Sequence, residues 1–95
     1  MKQYIKKAGL FQLYAFRDYF YIKKCYSDSE AYCIANILWM PQRNSAIINT
    51  IDTNLQDHVV LEQDYKDFIK LVDIAYDKLY IKHLGGVPHN ENTTF

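Results

Sequence analysis

LEQDYKDFIKLVDIAYDKLYIKHL, residues 61–84, is the stretch whose pattern organises the chain. Tyr65, Phe68, Ile69, Val72, Tyr76, Leu79 and His83 recur at steps of three and four, which places them on one stripe of an α-helix. Ala75 lies at the edge of that stripe and Leu71 widens it on one side. Glu62 and Asp64 stand in the first turn and Lys82 and His83 in the last, each where the helix dipole favours its charge. Gly85 supplies a stop that accepts positive φ, and Pro88 prevents an early restart.

Two residues break the pattern. Ile74 and Ile81 share a face seven residues apart, away from the predicted stripe. Lys70, Asp73, Asp77 and Lys78 surround them. An apolar centre with a charged rim is the anatomy of a contact site. These six residues are therefore the candidate partner-binding or self-association surface, with scattered surface isoleucines as the bland alternative.

Ninety-five residues, 49% of them hydrophobic, suffice for one domain with a modest core. Nine of the residues are tyrosines, which pack a ring and keep a polar tip, so they suit half-buried surfaces and interfaces. Abundant Ile, Lys, Asn and Tyr point to AT-rich coding, as in many bacteria and phages. The net charge is zero, yet residues 1–45 carry seven Lys+Arg against three Asp+Glu, a balance of +4, and residues 46–95 carry four against eight, a balance of −4.

Cys25 and Cys33 are the only cysteines, with no C-x-x-C spacing. MKQYIKKAGLF has no secretory pattern, and the apolar run Ala31–Met40 is too short to span a bilayer. The expectation is a cytoplasmic protein, off the membrane, with reduced thiols.

Ahead of the helix, residues 2–9 are a basic segment, a short helix or an arm. LFQLYAF and YFYIKKCY, on either side of Arg17-Asp18, are rich in aromatics and read as strands, with Phe20, Ile22 and Lys24 on one side and Tyr19, Tyr21 and Lys23 on the other. A continuous helix from Tyr4 to Lys24 is the rival. Ser27 and Glu30 have capping-box spacing, and Ala31, Ile34, Ile37 and Leu38 follow as a buried helix over Ser29–Met40, with a strand over Tyr32–Trp39 as the alternative. AIINTID reads as a strand, residues 52–57 as a turn, and His58–Leu61 as a second short strand entering the long helix. The piece Val59–Phe68, VVLEQDYKDF, is similar to the strand-into-helix segment of Phd/YefM-type antitoxins, although the preceding sequence departs from that family's helix–strand order.

The pattern carries no set of catalytic residues. Cys25, Cys33, His58, His83 and His89 lack the paired spacing of structural zinc sites, so no metal and no cofactor are expected. Asp57 and His58 are adjacent, hence on opposite faces of a strand, and neither cysteine has the basic neighbourhood of a reactive thiolate. Phosphate-binding glycine loops are absent. The more serious rival is nucleic acid: Lys6, Lys7, Arg17, Lys23, Lys24 and Arg43 interleave with aromatics including Tyr19 and Tyr21, a combination that holds phosphates and stacks bases. A near-neutral pI of 6.8 and an acidic second half weigh against it.

The expected architecture is one α+β domain over 1–84 with a flexible tail over 85–95: a small antiparallel sheet packed against the long C-terminal helix, with an all-α bundle as the alternative. The expected function is that of a small non-catalytic protein docking on another protein, of inhibitor, immunity, antitoxin or phage anti-defence type, with a possible homodimer. The alternatives are a single-stranded nucleic-acid binder and an oligomer that sequesters a small ligand.

Overall fold

Alternating side chains carry the first half of the chain into strands, and the three-four periodicity carries its end into a helix. The computed structural model describes residues 2–85. It contains β1 (Lys2–Ala8), β2 (Phe11–Phe16), β3 (Tyr19–Cys25), β4 (Ala31–Met40) and β5 (Ser45–Thr50), then α1 (Asp52–His58) and α2 (Glu62–Leu84). The strands form one antiparallel meander in the order β1-β2-β3-β4-β5. The fold is α+β, with α2 crossing one face of the sheet and touching every strand.

Local chemistry explains most boundaries. Gly9 (φ 59°) and Arg17 (φ 55°) take left-handed backbone in the first two hairpin turns, and Asn44 (φ 51°) does so in the fourth. A Cβ on Gly9 would run into the Asp67 carboxylate, so this turn also needs glycine for close approach to α2. At the start of α2, Asp64 reaches back and accepts from the N–H groups of Val60 and Leu61 at 3.4 and 3.1 Å. At its end Gly85 is left-handed (φ 76°) and donates to Ile81 O at 3.0 Å.

The core lies between the helical face of the sheet and α2. Leu13, Ile22, Ile34, Ala35 and Ile37 are fully buried against Leu71 and Ala75, with Phe11, Phe68, Val72 and Leu79 nearly so. Each fully buried Leu or Ile side chain contributes about 1.5–3 kcal/mol. A register shift between Ile22 and Lys23 leaves Ile34 as an extra residue of β4, and it turns inward beside Ala35, so both fill the core.

Four expectations are corrected. The helix expected over Ser29–Met40 is strand β4, the weighed alternative. A short apolar run carries no decisive period, and here β3 and β5 pair with both of its edges. The capping-box pair serves a hairpin turn: Ser27 Oγ accepts from Glu30 N at 3.1 Å, and Tyr26 N donates to Glu30 O at 2.9 Å. The basic segment 2–9 is an edge strand. The turn-plus-strand expected over 52–61 is helix α1 followed by an extended link, because Leu55 and Val59, one turn apart, both pack on the core. This also removes the strand half of the likeness over Val59–Phe68.

The helix faces the sheet differently from the predicted stripe. Leu71, placed at its margin, is fully buried, whereas Tyr65 is 59% exposed. The true stripe is Phe68, Leu71, Val72, Ala75 and Leu79. That rotation brings Ile74 half-buried against the core, while Ile81 stays 58% exposed. The tail expected over 85–95 lies, beyond Gly85, outside the described residues.

Candidate functional site

α2 and α1 pack on the same side of the sheet as the core residues. Strand alternation turns the other set of side chains to a face that no described element covers. Register arranges that set in three rows. One is Lys2, Phe16, Tyr19, Leu38 and Ile47; the next is Tyr4, Tyr14, Tyr21, Asn36 and Asn49; the third is Lys7, Gln12, Lys23 and Cys33. The face therefore grades from apolar to tyrosine-rich to basic.

The tyrosines pack into a ladder. Tyr14 and Tyr21 stack at 5.3 Å with rings 9° from parallel, Tyr4 meets Tyr14 edge-on at 5.8 Å, and Tyr19 lies 6.4 Å from Tyr21. The Lys2 and Lys23 ammonium groups sit 5.4 and 4.7 Å from the Tyr14 centroid. Tyr14 O–H donates to Gln12 Oε1 at 2.7 Å. Burial, and then the neighbouring Tyr14, Cys33 and Tyr19, push the Tyr21 hydroxyl above its ordinary pKa, so it is a neutral donor at physiological pH. Burial also raises the Cys33 thiol, against smaller lowering effects from the Ala35 backbone and Lys23. Cys33 is therefore a neutral thiol at pH 7 and a poor nucleophile. Lys2, Phe16, Tyr19, Tyr21, Cys33 and Asn36 line a shallow depression of about 320 Å³ in this face.

Charge divides by layer. No Asp or Glu stands in any of the five strands, which carry five lysines. The helices carry seven Asp+Glu against four lysines. Asp18, Asp28 and Glu30 lie in the hairpin turns, with Asp18 beside Tyr19 and Leu38, so the division holds between the strands and the helices and not at the ends of the sheet.

The sequence-predicted basic and aromatic set is split. Tyr19, Tyr21, Lys23 and Lys7 share the open face. Arg17 and Arg43 lie in the β2–β3 and β4–β5 turns, at the same end of the sheet. Lys6 is exposed on edge strand β1 after a register shift between Tyr4 and Lys6. Lys24 is 6% exposed on the helical face, and no partner can reach it as it could a surface lysine. Its Nζ donates to His58 O at 2.9 Å and pairs with Asp64 Oδ1 at 3.3 Å, over the rings of Phe11 and Tyr26. Lys24 thereby ties the sheet to both helices. Burial alone would raise the Asp64 carboxyl, but hydrogen bonds from Leu61, Lys24 and Val60 outweigh it and hold the group below its ordinary pKa. Beside this clamp, Tyr32 stacks on His58 at 4.0 Å and Tyr26 Oη lies 2.8 Å from His58 Nδ1.

Of the predicted helix surface, Lys70, Asp73, Asp77 and Lys78 are exposed. Ile81 and Lys78 line a groove of about 450 Å³ with Lys82, Gln3, Ile5, Ala15 and Phe20. Ile74 belongs with the core. Tyr14 and Phe16 were legible as part of the open face: a two-residue turn at Arg17-Asp18 sets them beside Tyr21 and Tyr19. Leu38 and Ile47 were not, because β4 reads as a helix.

Among the described residues no group of three or more His, Cys, Asp or Glu is placed to hold a metal ion, and no helix is long and apolar enough to cross a membrane. No protein-family model matches the chain, and neither a curated protein nor a solved structure is significantly similar to it.

Proposed function

We propose that this is a non-catalytic binding protein that docks on an acidic surface of another protein through the open face of its sheet. The observation that carries this is the composition of that face: Phe16, Tyr19, Leu38 and Ile47 form an apolar row, tyrosine tips lie beside it, Lys2, Lys7 and Lys23 lie around it, and no carboxylate stands on its strands. An apolar centre rich in tyrosine with a polar rim matches protein interfaces. Rings already packed on one another lose little side-chain freedom on binding. Acting by occupying a partner's surface suits an inhibitor, immunity protein, antitoxin or anti-defence protein. We place it in the cytoplasm, where Cys25 and Cys33 stay reduced.

Single-stranded nucleic acid is the second reading, favoured by the absence of Asp and Glu from the strands. Against it, the Tyr14 ring is engaged by Tyr21, Lys2 and Lys23, so its faces are not free to stack bases, and aliphatic Leu38 and Ile47 add nothing to base stacking.

Charge reversal tests the proposal. Lys2→Glu with Lys23→Glu is expected to abolish capture of an acidic protein partner from source-cell lysate without lowering the melting temperature. Asp73→Lys with Asp77→Lys, on the helical layer, is expected to leave capture intact. Capture that survives on the first variant refutes the proposal. So does tight, steeply salt-dependent binding of a mixed-sequence single-stranded oligonucleotide, which would establish the second reading.

A further inference from the structure

The sheet has two edges, and they are built differently. β1 carries Lys2, Lys6 and Lys7, all exposed, and a register shift between Tyr4 and Lys6. Charges and irregularity of this kind prevent an edge from pairing with other strands. β5, Ser45-Ala46-Ile47-Ile48-Asn49-Thr50, has no charge, no proline and a regular register against β4. The direction of its main chain is fixed by two bonds. Ile51 N donates to Ile34 O at 2.8 Å, so the odd-numbered N–H groups face β4. Ala46 N donates outward to the Tyr80 hydroxyl at 3.4 Å. The main chains of Ala46, Ile48 and Thr50 therefore face outward, and among the described residues only Ala46 has a side chain over its N–H.

We propose that β5 is the contact edge of a homodimer, in which it pairs antiparallel with β5 of a second copy. A two-fold axis at Ile48 sets Ile48 opposite its counterpart and Ala46 opposite Thr50. Each copy then satisfies the outward groups of Ile48 and Thr50 in the other, and the Ala46 N–H exchanges its long bond to the Tyr80 hydroxyl for one to the second copy's main chain. A second copy fits better than another strand because of where the lysines are. With β5 joined to β5, the two outer edges of the continuous sheet are both β1, both guarded, and the assembly closes at two chains. Both tyrosine faces lie on one side and both helical layers on the other. This pairing leaves the open face free, so it stands or falls apart from the docking proposal.

The test is the mass of the full-length protein in solution by light scattering, with wild type at about 100 μM expected at twice the 11.3 kDa chain mass. Ile48→Pro removes an outward donor but no bond to β4, and it is expected to run as a single chain with its circular dichroism retained. Because Ile48 also packs on the core, a second variant guards against a folding defect. Asn49→Lys with Thr50→Lys places charge on two exposed residues and is expected to weaken association at least about tenfold. A single-chain mass for wild type overturns the proposal. So does a dimer that Asn49→Lys with Thr50→Lys leaves at full strength.

Discussion

The two faces of the sheet come from the same strands, residue by residue, yet they are stabilised differently. The face under α2 is aliphatic and dry: Leu13, Ile22, Ile34 and Ile37 have no exposed surface, and Leu71 meets them from the helix with none either. The opposite face is aromatic and half-wet. Tyr14, Tyr19 and Tyr21 gain burial from one another, across strands and along β3, and the Tyr14 hydroxyl is bonded to Gln12. An uncovered sheet face cannot hold aliphatic side chains alone without leaving them to water. A tyrosine ladder gives lateral packing at less cost, because each ring shields the next and a hydroxyl tip can be met by water or, as at Tyr14, by a neighbouring side chain. The covered face therefore carries most of the stability, and the open face contributes less to it.

Substitutions sharpen this contrast. The largest effect is expected from Leu71→Asp, which puts an unpaired charge under the sheet and should abolish the cooperative thermal transition. Tyr21→Asp, on the other face, should still melt cooperatively; equal behaviour of the two would erase the distinction between faces. Next comes Lys24→Met, which keeps the buried stem but removes the bonds to His58 O and Asp64. A loss of about 1–3 kcal/mol in urea unfolding is expected.

That pair also sets a pH dependence. Asp64 has a lowered pKa in the folded state, so its contribution is complete above the ordinary carboxylate pKa and fades as pH falls through the lower folded value. Solvent around the carboxylate keeps the effect small. Lys24→Met should flatten the acid limb of stability below about pH 4. An unchanged limb would show that the ion pair is not its source.

Smaller again is Tyr14→Leu, which keeps a large apolar group but removes the stack on Tyr21. About 0.5–1.5 kcal/mol is expected, and no loss at all would mean that the ladder is not a source of stability. The smallest effect belongs to α2. Ile81→Glu should stay within about 0.5 kcal/mol of wild type, since Ile81 is mostly exposed, whereas Ile74→Glu should destabilise by about 1 kcal/mol or more. Equal costs would restore the predicted stripe and overturn the observed facing.

What the sequence determined by itself was local. The periodicity of residues 61–84, the acidic first turn and Gly85 specify α2, because each acts between residues within a turn or two. Arg17-Asp18 between two aromatic runs favours a hairpin but leaves a continuous helix from Tyr4 to Lys24 open, and it is strand pairing that sets Phe16 and Tyr14 beside Tyr19 and Tyr21. Tertiary structure decided everything that depends on a distant partner. Ala31–Met40 has an apolar pattern open to helix or strand, and it is a strand because β3 and β5 supply hydrogen bonds on both sides. Lys24 looks like any surface lysine until Asp64, 40 residues on, takes up its charge beneath the helices. The turn of α2 toward Leu71 and Ile74 is decided by the sheet residues that bury them. The separation of charge between layers arises the same way: the sequence holds the basic half and the acidic half, but only folding the second half across one face of the first puts the seven helical carboxylates behind the sheet, away from the tyrosines and lysines of its other face.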